Sequence, residues 1–148
     1  MKKIVSIFCL LILVFCLSGC SHIEDTNGEE NFELNTLSDS DIINGTSVKA
    51  NVVVQSFIIN KGKLKISKLS GVKLVDTFNL FNEDLTIVFN TNVKSGNFKL
   101  VVIYNGKIEE IPINTTYEYK LEKGLGECIV KVAGESAKFE LEYEYNKD

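Results

Sequence analysis

The chain has 148 residues and a net charge of −4, which is the size of one ordinary domain. Residues 21–47 contain seven acidic residues and no lysine, whereas residues 48–148 contain 14 lysines and 13 acidic residues, a net charge of +1. This near-neutral balance argues against a nucleic-acid-binding domain, which needs clustered positive charge.

The first twenty residues have the layout of an export signal. Lys2 and Lys3 precede an almost unbroken apolar run over residues 4–17, and small residues then lead to a cysteine. The tetrapeptide Leu17-Ser18-Gly19-Cys20 resembles the lipobox of bacterial lipoproteins at every position. In that family a diacylglyceryl group is attached to the cysteine thiol, and the chain is cut just before it. The resemblance implies that residues 1–19 are a signal peptide and that Cys20 carries the lipid.

A transmembrane helix is the alternative interpretation of this segment. A span needs about 20 apolar residues, whereas the run from Ile4 to Cys20 is shorter and ends in small residues. No basic stop-transfer cluster follows, since the next charges are Glu24 and Asp25. We therefore expect a protein that is anchored to the membrane by its lipid and does not span it, because two acyl chains hold a protein firmly on a bilayer.

The composition also predicts where the protein is found. All 16 basic residues are lysine, and isoleucine and asparagine are abundant, which indicates an AT-rich genome. Together with the lipobox, this bias indicates a Gram-positive bacterium. The expected location is the extracytoplasmic face of the cell membrane.

Residues 20–47 are predicted to be a lipidated, largely disordered acidic tether. Asn, Asp, Glu, Ser, Thr and Gly dominate this segment, and its few apolar residues show no sustained period. Low hydrophobicity combined with like charge favours an extended chain. The predicted domains are therefore the signal peptide at 1–19, this tether, and a folded domain at 48–148.

The cysteines and the single histidine exclude several kinds of chemistry. Cys9 and Cys16 belong to the signal peptide and Cys20 to the anchor, so Cys128 has no partner for an intramolecular disulfide. It alternates in phase with valines, which predicts a buried thiol that behaves as a small apolar side chain. His22 lies in the tether and cannot activate a nucleophile in the folded domain. No Cys/His spacing for zinc is present, and we expect no metal and no cofactor.

From Val48 onward, apolar residues alternate with polar ones, which is typical of strands with one buried face. Turn residues separate these runs, and Asn105-Gly106 is a strong signal for a two-residue hairpin. We predict an all-β fold, an antiparallel β-sandwich of the jelly-roll or immunoglobulin-like kind with eight to nine strands. The predicted strands are 48–59, 62–68, 72–79, 84–91, 97–104, 107–113, 116–122, 127–133 and 136–145.

Several short motifs over residues 69–145 suggest a family. They are Leu69–Gly71, Thr77–Leu80, Leu85–Ile87, Ser95–Leu100, Gly106-Lys107, Gly126–Val132 and Ala133–Leu141. This pattern is similar to the small β-sandwich accessory domain of secreted bacterial peptidases and to uncharacterised Gram-positive lipoproteins. The resemblance implies an accessory or binding domain without catalysis. Asn97 and Lys99 replace the acidic pair of the family, which removes its calcium site, and Cys128 replaces an aromatic residue.

One lysine row is a candidate binding site. Lys61, Lys63, Lys65 and Lys68 cluster in one predicted strand and could contact an anionic polymer of the cell wall. The alternative, which we favour, is that Glu140, Glu142 and Glu144 form a complementary row on another strand. Likewise, three tyrosines could form a sugar-stacking platform, but their phase favours the core. These tyrosines are Tyr104, Tyr117 and Tyr119.

The functional hypothesis is a membrane-anchored surface lipoprotein whose β-sandwich is a non-catalytic binding or interaction module. Its expected partners are the membrane, through the lipid on Cys20, and either an anionic wall polymer or an envelope protein. The alternative is a carboxylate-dependent hydrolase at the cell surface, since such enzymes need no histidine. Its candidate carboxylates are the adjacent pairs Glu83-Asp84 and Glu109-Glu110, which lie beside predicted turns and are better interpreted as solvated.

Overall fold

The computed structural model describes residues 38–148. The predicted signal peptide, Cys20 and the tether as far as residue 37 lie outside the described residues. In chain order, the elements are α1 (Asp39–Asn44), β1 (Val48–Ile58), β2 (Lys61–Tyr104), β3 (Lys107–Ile111) and β4 (Thr116–Lys147). All strand pairs are antiparallel, which confirms the predicted all-β antiparallel class. Over residues 38–148, no helix is both long and apolar enough to cross a bilayer.

The long strands β2 and β4 pair with each other along most of their length. Residues 116–121 of β4 pair with residues 85–90 of β2, and two further sets each place β4 between two parts of β2. In the first set, residues 139–144 of β4 lie between residues 61–66 and 88–93 of β2. In the second set, residues 128–134 of β4 lie between residues 71–78 and 98–104 of β2. Strand β1 extends the sheet along the start of β2, and β3 pairs with the end of β2.

The strands are longer and fewer than predicted. Strand β2 joins the four predicted strands at 62–68, 72–79, 84–91 and 97–104, and β4 joins the three at 116–122, 127–133 and 136–145. Ser70-Gly71 and residues 95–97 were expected to separate strands, yet β2 continues through both. Gly71 and Gly96 adopt φ values of +109° and +78°, which side-chain-bearing residues rarely adopt. The β2–β4 register shifts near both glycines. Bulges and glycine kinks thus redirect the chain without ending the strand.

The predicted hairpin at Asn105-Gly106 is confirmed. Both residues have positive φ, +50° and +71°, as a type I′ turn requires. They join Tyr104 of β2 to Lys107 of β3. Pro112 follows the last residue of β3, which is the strand-end position expected for a residue that cannot donate a ladder hydrogen bond.

The main core is built from the alternating residues of β2 and β4. Leu85, Ile87 and Phe89 are each fully buried, and Phe139 and Leu141 face the same cluster. Aromatic rings pack closely there, with Phe98 and Phe139 at a centroid distance of 4.3 Å. The period-2 pattern therefore identified the buried face of these strands correctly.

A short helix precedes the first strand and packs against the sheet. Ser38 caps α1, and the side chain of Asp41 accepts a hydrogen bond from the Ser38 backbone N–H, which completes a capping box. Ile42 is 1% exposed and lies in a second apolar cluster with Val72 and Val101. The tether prediction is therefore wrong for residues 38–47. A single buried side chain in six helical residues gives no period that the sequence analysis could detect.

A buried lysine closes the other end of this helix. The Lys131 Nζ donates hydrogen bonds to the carbonyl oxygens of Ile42, at 3.2 Å, of Ile43, and of Gly45, at 3.3 Å. These carbonyls belong to the last turn of α1 and its C-cap, where helical partners run out and a cation is favourable. Burial lowers the pKa of the Lys131 ammonium. The three hydrogen bonds offset the cost of burying this charge.

Candidate functional site

The candidate site is a shallow groove of about 470 Å³ on the outer face of the sheet. We call it the sheet groove. It is open to solvent, and most of its polar lining residues are exposed. Five separate stretches of the chain contribute to it, because β1, two parts of β2 and two parts of β4 lie side by side here. The lining residues are Ser56, Ile58, Lys61, Gly62, Lys63, Val88, Asn90, Thr116, Glu142, Tyr143 and Glu144.

The predicted lysine row forms one part of this groove and is ion-paired. The Lys61 Nζ lies 3.0 Å from Glu144 Oε2, and Lys63 pairs with Glu142. Farther along the row, the Lys65 Nζ lies 2.7 Å from Glu140 Oε1. Each pair joins directly opposite residues of β2 and β4. The expected complementary glutamate row is thus confirmed.

The structure does not bring all four predicted lysines together. Lys61 and Lys63 line the groove, and Lys65 continues the same row outside it. Lys68 follows a register shift in β2 and lies opposite Asn51 of β1. As a result, the row has three members on one face, while Lys68 lies apart from the groove.

The ion pairs move the pKa of one lysine and one glutamate of the two rows farther from neutral pH. A hydrogen bond and the charge of Glu142 raise the pKa of Lys63 above its usual value. A hydrogen bond and the charge of Lys65 lower the pKa of Glu140. Two lysines and two glutamates line the groove, so its formal charge is zero. Such a surface attracts a polyanion less strongly than the lysines alone would.

The groove offers both hydrogen-bond donors and hydrogen-bond acceptors. The ammonium groups of Lys61 and Lys63 donate, the carboxylates of Glu142 and Glu144 accept, and hydroxyl and amide groups do both. The hydroxyl and amide groups come from Ser56, Asn90 and Thr116. Sequence analysis missed these three because nothing in the sequence shows which distant segments become neighbours.

The three candidate tyrosines do not form a platform in the groove. Tyr119 is buried in the core, and Tyr104 and Tyr117 are partly buried against it. The hydroxyl of Tyr104 accepts a hydrogen bond from the Leu125 backbone N–H at 2.8 Å and donates one to its carbonyl at 3.1 Å. The favoured interpretation of these residues as core is therefore confirmed. Tyr143 lines the groove but is 4% exposed.

Three of the four candidate catalytic carboxylates have partners. The Lys147 Nζ lies 3.4 Å from Glu83 Oε2, and Lys99 pairs with Glu110 at 3.2 Å. Asp84 accepts a hydrogen bond from the Lys123 backbone N–H at 2.8 Å. In residues 38–148, no group of three or more His, Cys, Asp or Glu side chains could hold a metal ion.

Because Cys128 and two tyrosines are buried, we expect the free energy of unfolding to fall at alkaline pH. Burial raises the pKa of Cys128 from 9.0 to about 11 and that of Tyr119 from 10.0 to about 12. Burial, with a hydrogen bond to Asp76, also raises the pKa of Tyr143. The unfolded chain therefore releases these protons first, and stability falls as pH rises above about 9.

We expect urea unfolding at pH 10.5 to give a lower free energy of unfolding than at pH 8. The thiol alone should contribute on the order of 2 kcal/mol, because one pKa unit corresponds to about 1.4 kcal/mol. Cys128→Ala should lose less stability over the same interval, whatever its stability at pH 8. If the wild type and Cys128→Ala lose the same free energy of unfolding between pH 8 and pH 10.5, the Cys128 thiol does not cause the loss.

Comparison with known proteins gives limited information. No family model matches the chain, and no curated protein matches it. One similar solved structure is a chain described as "CBM4 structure and function", with 6% sequence identity and a TM-score of 0.38. The match covers 67% of this chain and 77% of that one. A likeness this weak supports no conclusion about function.

Proposed function

We propose that this protein is a membrane-anchored surface lipoprotein whose β domain is a non-catalytic binding module of the β-sandwich type. Its ligand is a hydroxyl-rich polymer of the cell envelope, held in the sheet groove. The observation that supports this proposal is the composition of the groove, in which paired charges lie beside two hydroxyl groups and an amide group on an open sheet face.

The paired charges favour a neutral polysaccharide over a polyanion. Sugar hydroxyls both donate and accept hydrogen bonds, so they can contact the lysines and the glutamates of the groove together. A polyanion would gain from Lys61 and Lys63 but would be repelled by Glu142 and Glu144, which lie about one hydrogen-bond length from those lysines. A groove that is open to solvent also suits an extended chain better than a small enclosed ligand.

The test measures binding of the detergent-solubilised full chain to purified wall polysaccharides, both neutral and anionic. Asn90→Ala combined with Thr116→Ala should weaken binding about tenfold, because each lost hydrogen bond costs about 0.5–1.5 kcal/mol. Charge variants then separate the two ligand classes. Glu142→Gln combined with Glu144→Gln should weaken binding of a neutral polymer but strengthen binding of a polyanion.

The matched control is Glu118→Gln combined with Lys120→Gln. These two residues form an exposed ion pair at 2.6 Å and do not line the groove. The control should bind as tightly as the wild type. If the groove variants also bind like the wild type, or if no polysaccharide binds, the groove is a solvated strand face. Tighter binding of the wild-type chain to the anionic than to the neutral polysaccharide, with a strong dependence on salt, would instead favour the anionic wall polymer.

The anchor is tested separately by metabolic labelling with a radioactive fatty acid. We expect the wild-type chain to become labelled and to remain with the membrane. Cys20→Ser should remove the label, because the thiol is the attachment point that the lipobox implies. Cys128→Ser is the control and should keep the label. Equal labelling of the wild type and Cys20→Ser would contradict lipidation at Cys20.

A further inference from the structure

Five residues that line the sheet groove form one row across five neighbouring strand segments. Each member lies directly opposite the next in the antiparallel pairing, so all five side chains point to the same face of the sheet. This face is the solvated one, because Phe89 and Leu141, which alternate with members of the row, are buried. We call this set the polar row. Its members, in order across the sheet, are Ser56, Lys63, Glu142, Asn90 and Thr116.

The polar row leads into a second cleft at the start of β4. This cleft has a volume of about 330 Å³ and shares Asn90 and Thr116 with the sheet groove. We call it the Asn/Thr cleft. Each of its lining residues carries an uncharged amide or hydroxyl group, which can donate and accept hydrogen bonds. The lining residues are Asn90, Thr91, Asn92, Asn114, Thr115 and Thr116.

Hydrogen bonds fix the bend of the chain that forms this cleft. Asn114 has a φ of +58°, which asparagine adopts more readily than most residues. Its Oδ1 accepts a hydrogen bond from the Val93 N–H at 2.7 Å, and its own N–H donates to Thr91 Oγ1 at 3.0 Å. The cleft is therefore formed before any ligand binds, which lowers the conformational cost of binding. Asn92 and Thr115 are both exposed at its surface.

We propose that the Asn/Thr cleft is a second sugar subsite, and that a linear neutral polysaccharide crosses the strands along the polar row with one end in this cleft. This inference rests on the proposed function, because it assigns the path of the polymer held in the sheet groove. Neighbouring strands are about 4.8 Å apart, which is close to the length of one sugar residue, so the row and the cleft together fit about five sugar residues.

The charges along this path favour an uncharged chain. Lys63 and Glu142 pair with each other, and the path beyond them is lined by amide and hydroxyl groups. Sugar hydroxyls can form hydrogen bonds with every member of the row, whereas a charged polymer gains no opposite charge in the cleft. A chain that instead followed the strand direction along Lys61, Lys63 and Lys65 would meet a charged residue at each outward position and would not reach the cleft.

Binding of size-graded fragments tests this path. The probes are fragments of two to eight sugar residues, prepared by partial hydrolysis of the purified neutral wall polysaccharide. Isothermal titration calorimetry of the detergent-solubilised full chain gives the dissociation constant of each fragment. For the wild type, we expect the affinity to rise up to about five sugar residues and then to level off, because a chain of that length spans the row and the cleft.

Variants at the two ends of the path show which residues the longer fragments contact. Asn92→Ala combined with Thr115→Ala changes the cleft and leaves the groove intact. This cleft variant should bind five-residue fragments about tenfold more weakly, through the loss of two hydrogen bonds, and its affinity should level off at a shorter length. Ser56→Ala, at the opposite end, should weaken the same fragments, and the two effects should multiply because they concern different sugars.

The matched control is Thr46→Ala combined with Asn79→Ala. These are the same chemical changes at exposed positions outside the groove and the cleft, so the control should bind every fragment like the wild type. Circular dichroism should be unchanged in the cleft variant, because both of its positions are exposed.

The outcomes separate this inference from the proposed function. Suppose that Glu142→Gln combined with Glu144→Gln weakens binding, but the cleft variant binds every fragment like the wild type. The polymer would then occupy the groove without the cleft, and the inference would be overturned while the proposed function stands. Equal affinity for two-residue and five-residue fragments would overturn it in the same way. If the neutral polysaccharide and its fragments do not bind at all, both are contradicted.

Discussion

Phe89→Ala should lower the free energy of unfolding by about 3–5 kcal/mol, as expected when a fully buried aromatic side chain is truncated. Phe89 is 0% exposed and lies in β2 between Tyr117 and Tyr143 of β4. Its ring centroid lies 6.3 Å from that of Tyr143. The substitution leaves a cavity between strands that are held on both sides, so the surrounding structure cannot close it fully. Urea unfolding followed by circular dichroism measures the change.

Phe81→Ala is the matched control, because it makes the same chemical change at a position that is 77% exposed. We expect a change within about 0.5 kcal/mol, as is usual for surface substitutions. If the free energy of unfolding falls by a similar amount in both variants, the assignment of Phe89 to the buried face of β2 would be contradicted.

Ile42→Ala should lower the free energy of unfolding by about 2–5 kcal/mol. Ile42 is the buried residue of α1 and contacts the second apolar cluster, which includes Val72, Val101 and Ala133. Truncation removes the main apolar contact of α1. A helix of six residues is too short to be stable alone, so it depends on this contact and on the hydrogen bonds from Lys131.

Hydrogen exchange shows whether the loss is local. In the wild type, the amides of Ile42 and neighbouring residues should be protected, and in Ile42→Ala they should exchange much faster than those of β2. Ile59→Ala is the control for the same substitution at a position that is 87% exposed, and it should change neither stability nor protection. Unprotected amides in α1 of the wild type would contradict the docked helix.

The sequence by itself determined which side chains of the strands are buried. Burial of one face requires a period of 2, and that period is visible wherever polar residues cover the other face, as in Leu85–Phe89 and Phe139–Tyr143. The hairpin at Asn105-Gly106 was equally predictable, because few residues accept two successive positive φ angles. The pairing of the lysine row with the glutamate row could also be predicted, since the charged residues of each row occupy alternate positions of a single strand.

Tertiary structure alone decided which segments became neighbours. The sheet groove combines Ser56, Asn90 and Thr116 with β4 glutamates, and no local pattern connects residues so distant in sequence. The docking of α1 depends on Lys131, which lies about 90 residues later in the chain. Nothing in the sequence distinguishes this lysine from the others. The sequence also did not predict that β2 continues through Gly71 and Gly96, since glycine permits both a turn that ends a strand and a bend within one. Long-range packing chooses between them, because it determines which conformation buries more apolar surface.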